Sequence, residues 1–158
     1  MSVSNVSTLD SDIWTLIQTN TITSGTTASS FTGISGYKKL AFTWNILTSS
    51  GNNYPMLTFN SDNTNGNYSN WINLYDANVI GGSNRLWLSG SNRQDHSGYL
   101  EIIDVDQSSP KYVTKFSCNY GMNFNGAYLS SSAITSAVLA PNTATWDSGT
   151  IRMYGIAR

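Results

Sequence analysis

The chain has 158 residues and a net charge of −1, with 39% hydrophobic, 12% aromatic and only 11% charged residues. That is enough apolar material for one domain with a real core, which excludes disorder over most of the length. Eight basic residues without a basic patch argue against a nucleic-acid binder, and Ser, Thr, Asn and Gly, standing where about 25% charged residues are usual, suit strands and turns better than exposed helices.

Residues 1–10 are polar and without period, and read as an N-terminal arm ahead of a single domain spanning 11–158. No basic n-region with an apolar run opens the chain, and no stretch approaches the ~20 apolar residues of a membrane helix. The expectation is a protein made in the cytoplasm with no membrane insertion.

The first strand is expected at Ile13–Gln18, followed by a Thr/Ser-rich segment, 19–30, that is either a short strand or an edge crossing. From Lys39 the stretch Gly36–Leu47 alternates strictly. Leu40, Phe42, Trp44 and Ile46 face one way, and Lys39, Ala41, Thr43 and Asn45 the other. With two aromatics and no internal Pro or Gly, it reads as a central strand. A turn is predicted through Ser49–Asn53, then a strand over Tyr54–Asn60 with Pro55 at its start, a long polar loop at 61–70, and a short strand at Trp71–Tyr75. Gly81-Gly82 marks a turn before the strand Arg85–Ser89, and 90–97 reads as another turn region. Gly98–Val105 should place Tyr99, Glu101, Ile103 and Val105 opposite Leu100, Ile102 and Asp104, and Lys111–Cys118 should place Tyr112, Thr114 and Phe116 opposite Val113, Lys115 and Ser117. An Asn/Gly-rich segment (119–126), one more strand within 127–139, a loop around Pro141, and a closing strand at Gly149–Ile156 complete the chain. About eight to ten strands with no helical period predict an all-β fold, an antiparallel β-sandwich or jelly roll.

Few residues can carry catalysis. His96 is the only histidine and lies in the polar stretch Asn92–Ser97, where neighbouring Asp95 cannot be oriented as a triad partner. It reads as a surface-loop or interface residue. Cys118 is the only cysteine, so no internal disulfide forms, and it reads as a small buried hydrophobe. A glycosidase needs two carboxylates facing across a cleft. Glu101 and Asp104 fall on opposite faces, while Asp104 and Asp106 suit turn chemistry. The oxygen-rich loop Ser61–Ser69 holds one carboxylate, Asp62, too few for a calcium loop, and Asx-turns explain it more simply. No cofactor or metal site is indicated. Tyr54, Asp62, Tyr68, Trp71 and Tyr75 stand out as contact residues. Aromatics beside amides and carboxylates serve either protein interfaces or sugar stacking, and both readings stay open.

Four pieces occur in a suggestive order: the early Trp14; Ser30-Phe31-Thr32-Gly33-Ile34 leading into Gly36-Tyr37-Lys38-Lys39-Leu40; Leu57-Thr58-Phe59-Asn60-Ser61-Asp62 with Asn67-Tyr68 behind it; and Ser148-Gly149-Thr150-Ile151-Arg152-Met153-Tyr154-Gly155-Ile156 at the end. Together they span nearly the whole chain, which resembles small β-sandwich domains of tailed-bacteriophage structural proteins. The resemblance implies a non-enzymatic virion component, a capsid decoration (cement) or tail-associated subunit. It further implies a homo-oligomer, with a trimer expected, whose N-terminal arm docks on capsid or tail proteins. The segment Asn63-Thr64-Asn65-Gly66 departs from the tighter loop expected there, so no loop-specific role carries over, and no shared catalytic site comes with the family. The alternative is a receptor-binding module of a tail fibre or tail tip that presents Tyr54, Asp62, Tyr68 and Trp71 to a host-surface glycan. A cell-wall hydrolase using Glu101 is a third, weaker possibility.

Overall fold

The computed structural model describes residues 13–74, 77–89, 93–119 and 123–158. Among them the chain forms twelve β-strands and no helix: β1 (Thr15–Ile22), β2 (Ser29–Phe31), β3 (Tyr37–Asn53), β4 (Pro55–Phe59), β5 (Tyr68–Leu74), β6 (Ala77–Ser83), β7 (Leu86–Trp87), β8 (Arg93–Ile103), β9 (Lys111–Cys118), β10 (Asn123–Tyr128), β11 (Ala137–Pro141) and β12 (Trp146–Ala157). Eight strands make one sheet, in the order β1-β12-β3-β8-β9-β10-β5-β6, and four make the other, β2-β11-β4-β7. All pairings are antiparallel. The protein is an all-β antiparallel sandwich, with more strands than the eight to ten expected.

β3 is central in the large sheet, and Leu40, Phe42 and Trp44 lie on its buried face at 0–1% exposure. Phe42 meets Phe31 of the small sheet edge-on at 5.6 Å and Phe59 at 6.4 Å. Phe59 in turn meets Tyr128 at 5.5 Å, and Tyr128 stacks on Tyr68 at 4.9 Å. This aromatic chain ties the two sheets together. Each fully buried side chain of this size contributes about 1.5–3 kcal/mol, and each ring pair about 0.5–1.5 kcal/mol more.

Bulges explain where simple alternation fails. Between Trp44 and Leu47, β3 advances three residues while β8 advances two, from Gly98 to His96. The inward parity of β3 therefore switches, and Leu47, Ser49 and Asn53 are buried. A second bulge in β9, opposite Glu101 and Ile102, separates an inward Val113 and Lys111 from an inward-leaning Phe116 and Cys118, and leaves Tyr112 51% exposed. The expected common face of Tyr112, Thr114 and Phe116 is thus broken.

The turn predicted at Ser49–Asn53 is instead the end of β3. Asn53 donates to Ser49 Oγ and Gly51 O, which satisfies polar groups locally inside an irregular strand. The first strand is shifted toward Ile22, leaving Ile13 and Leu16 exposed. Gly81-Gly82 belongs to β6 rather than to a turn. A Cβ at Gly82 would come within 3.1 Å of Gly66 Cα, so glycine there lets the 60–67 loop lie against the strand. β10, in the Asn/Gly-rich segment, owes its existence to its neighbour: it pairs with β5 from Asn123↔Asn73 to Tyr128↔Tyr68.

Side-chain amides join the sheets where no ladder does. At one side, Gln18 and Asn20 of β1 both donate to Ser30 O of β2, at 3.0 and 2.9 Å, and Asn20 also donates to Ser29 Oγ. On the other side, buried Asn70 of β5 donates to Arg85 O at 2.8 Å and accepts from Trp87 N–H at 3.0 Å. These amides stand in for backbone partners and cover both lateral openings of the sandwich.

Candidate functional site

The loop between β4 and β5 was expected to present Asp62 and Tyr68 to a partner. Asn60 and Ser61 both adopt left-handed backbone angles, φ 54° and 55°, and reverse the chain after β4. The Asn60 side chain clamps the facing loop, donating to Ala133 O and accepting from Thr135 and Ser136 N–H groups. Asp62 Oδ1 accepts from Thr64 N–H at 2.9 Å, the expected Asx-turn, and Oδ2 accepts from Asn67 and from Tyr128 O–H at 3.1 Å. Desolvation acts to raise the Asp62 carboxyl, but these hydrogen bonds outweigh it and hold it below the usual carboxylate range.

Tyr68 is fully buried, which corrects its assignment as a contact residue. Its oxygen accepts from Phe59 N–H at 2.8 Å, and its O–H is directed at the Asp62 carbonyl at 3.1 Å. Burial first, with a smaller contribution from nearby Asp62, raises its ionisation well above the usual tyrosine value. It is a post for the loop. Tyr54 is half-buried and packs edge-on against Trp87 at 5.2 Å. Tyr75 and the side chain of Trp71 lie outside the described residues.

His96 is not a loop residue. It shares the inward parity of Gly98, Leu100 and Ile102 on β8 and is 1% exposed. Its Nε2 lies 3.1 Å from both Asn53 O and Arg93 O, so Nε2 carries the proton and donates to carbonyls. Desolvation outweighs these bonds and nearby Asp95, and lowers its pKa. Glu101 Oε1 accepts from Tyr99 O–H and from Lys115 Nζ at 3.0 Å, while Asp106 pairs with Arg158 at 2.6 Å. Asp104 is exposed at a left-handed turn, φ 59°, that redirects Val105 into the core. No two of these carboxylates face each other across a hollow.

Sequence reasoning missed Lys111. It is fully buried, with Nζ donating to Ser130 O at 2.9 Å and Ser132 O at 2.5 Å, and 5.8 Å from the Tyr128 ring. Desolvation lowers its pKa, partly offset by Asp104. The lysine fastens the 129–136 loop to the sheet.

Two surface hollows are lined by described residues. One, of about 230 Å³, lies on the outer face of the large sheet and is lined by Trp14, Ala41, Thr43, Tyr99 and Tyr154. All these residues hold outward positions on β12, β3 and β8 or just before β1, and exposed Ile13 and Leu16 lie beside Trp14 in sequence. The second, of about 220 Å³, lies on the outer face of the small sheet, lined by Met56, Thr58, Ser61, Asn63, Arg85, Val138 and Ala140. Outward parity on adjacent strands was the signal for both. Alternation put Tyr99 on one face with Glu101 without saying which face is outward, and the strand neighbours that bring Trp14 and Tyr154 beside it follow from topology alone.

In comparisons with known proteins, no family model, no curated protein and no solved structure matches the chain.

Proposed function

We propose that the protein is a non-enzymatic structural subunit of a bacteriophage virion, a head decoration (cement) protein or a tail-associated subunit. It would act as a homo-oligomer, a trimer by expectation, that docks on capsid or tail proteins after synthesis in the host cytoplasm. The observation that carries this reading is the aromatic hollow of Trp14, Tyr99 and Tyr154 on the outer sheet face, with exposed Ile13 and Leu16 near it. Aromatic-rich, weakly charged surface is the composition of interface centres. A net charge of −1 gives copies little reason to repel one another. His96 and the carboxylates Asp62, Glu101 and Asp106 are engaged in internal bonds, which also favours a role by shape and buried area.

Sedimentation of the purified chain tests the oligomer. A trimer is expected in the wild type. Trp14→Glu should shift it to monomer with an unchanged circular-dichroism spectrum, and a wild type that stays monomeric at high concentration would refute the self-assembly. Gold-labelled antibody on intact virions tests the location. Label over the head supports decoration, label at the tail supports the tail-associated form, and virions without label would overturn the proposal.

A further inference from the structure

We infer that the hollow on the outer face of the four-stranded sheet is a binding site for a pyranose bearing a carboxylate. This goes beyond the structural role and does not depend on it. The floor is apolar at one end, from Met56, Val138 and Ala140, with the Thr58 hydroxyl beside them. Ser61 and Asn63 supply a hydroxyl and an amide at the rim, and Arg85 supplies a guanidinium. Trp87, the ladder partner of Met56, continues the same face and carries Tyr54 against it at 5.2 Å. A sugar ring offers the same mixture, with C–H groups on one face and hydroxyls around the edge.

Charge selects the class. Arg85 Nε donates to Asn84 Oδ1 at 3.2 Å, and Nη1 lies 3.9 Å from Met56 Sδ, which holds the guanidinium over the floor. Among the described residues no carboxylate lies within ion-pair distance of it. Asp62 stands between the two rim residues in sequence, but its oxygens are engaged with Thr64, Asn67 and Tyr128. A planar guanidinium with uncommitted N–H groups matches a carboxylate as a two-pronged donor. The site contains a single cation and no helix end, and its remaining polar groups are neutral hydrogen-bonding ones. That favours one carboxylate with surrounding hydroxyls over a phosphate chain. At about 220 Å³ the hollow is smaller than the roughly 300–1,000 Å³ of drug-sized pockets, which suits one ring rather than an extended ligand.

The test is an NMR titration of isotope-labelled protein with glucuronate and with N-acetylneuraminate, using glucose as the neutral control. Saturable shifts are expected at residues 56–58, 85–87 and 138–140 with a dissociation constant in roughly the millimolar range, given so small a contact. The ranking of the two acids distinguishes a uronic from a sialic source. Arg85→Gln should weaken binding at least tenfold, while Arg85→Lys, which keeps charge but not the fork, should lose less. Ala140→Phe fills the hollow from an outward position and should abolish the shifts without changing the melting temperature. Equal affinity for glucose, wild-type affinity in Arg85→Gln, or no saturable shift up to the solubility of both acids would overturn the inference.

Discussion

Gly98→Ala isolates a steric requirement at the centre of the large sheet. Gly98 faces Trp44 across the β3–β8 ladder and Cys118 across β8–β9. An added Cβ would lie 2.2 Å from Trp44 Cζ2, 2.6 Å from Trp44 Cε2 and 2.6 Å from Ser117 O. Trp44 is 1% exposed and packs on Phe116 at 6.2 Å, so the indole has nowhere to go, and the Ser117 carbonyl belongs to the ladder. Two opposing terms set the sign. Replacing Gly by Ala stiffens the unfolded chain and by itself stabilises by about 0.4–1 kcal/mol, whereas overpacking a tight core costs typically about 1–3 kcal/mol and more where backbone must move. With a side-chain and a backbone atom both inside contact distance, the clash should win by about 2–3 kcal/mol. For a chain of this length that lowers the melting temperature by roughly 4–12 °C. Urea denaturation of Gly98→Ala, Trp44→Leu and the double variant gives the decisive cycle. Trp44→Leu removes the two ring atoms, so the double variant should be more stable than the sum of the single losses by about 1–2 kcal/mol. An unchanged or raised midpoint for Gly98→Ala, or strict additivity, would refute the steric account.

Asn70→Ala should lose about 2–4 kcal/mol by urea denaturation, because it strands the buried ends of the Arg85 carbonyl and the Trp87 amide that the side chain now serves. His96 makes stability depend on pH. Its folded pKa is lowered, so below the ordinary value of 6.5 the unfolded chain takes up a proton that the folded one refuses, and stability falls with decreasing pH by at most about 1.4 kcal/mol per unit. His96→Gln should flatten denaturation midpoints between pH 6.5 and the folded pKa. A Lys111→Met variant should release the 129–136 loop, seen as faster hydrogen exchange at Leu129 and Ile134, at a cost of about 2–3 kcal/mol. Only 11% of the residues are charged, and the ion pairs Lys115–Glu101 and Arg158–Asp106 both have an exposed cation, so melting temperatures should change little with salt, and a steep fall would contradict that.

Much of the sandwich was legible because one strand announces it. The alternation from Lys39 to Trp44 puts Leu40, Phe42 and Trp44 into the core, and a central strand demands partners on both sides. The pattern stopped being readable at its bulges. One extra residue after Trp44 moves the buried set from even to odd positions, and nothing in Asn45-Ile46-Leu47 signals that slip. His96 shows the same limit from the other direction. Its even parity with Leu100 was visible, but the polar surroundings Asn92–Ser97 concealed that the strand starts at Arg93. β6 and β10 were missed because Gly and Asn there have weak strand preference, and pairing with β5 decides their conformation. The contact residues fared unevenly for a related reason. An aromatic next to Asn and Asp is equally consistent with a sugar platform and with a buried post, and Tyr68 turned out to be the post only because its hydroxyl finds Phe59 N–H.

The composition itself gains a physical reason from the lateral closures. Exposed strand edges invite association, and proteins commonly guard them with charge, Pro or bulges. At the β1 side this chain uses short amides, Gln18 and Asn20, that reach across to the β2 backbone. At the other side Asn70 does the same for β7. A lysine could only donate and a carboxylate only accept, whereas an amide does both, which Asn70 requires when it serves a carbonyl and an N–H together. Edges secured by amides need no charge, and a surface with so little charge leaves the two outer sheet faces as the places where another molecule can gain by contact. The Trp14–Tyr154 face sets an aromatic hollow among outward Lys39, Arg152, Glu101 and Lys115, so the contact with a second copy proposed above would be apolar at its centre and charged with both signs at its rim. The Arg85 face, with its single cation, suits a small anion-bearing ligand. Removing one function by mutation should therefore leave the other intact, because the twelve-strand sandwich lies between them.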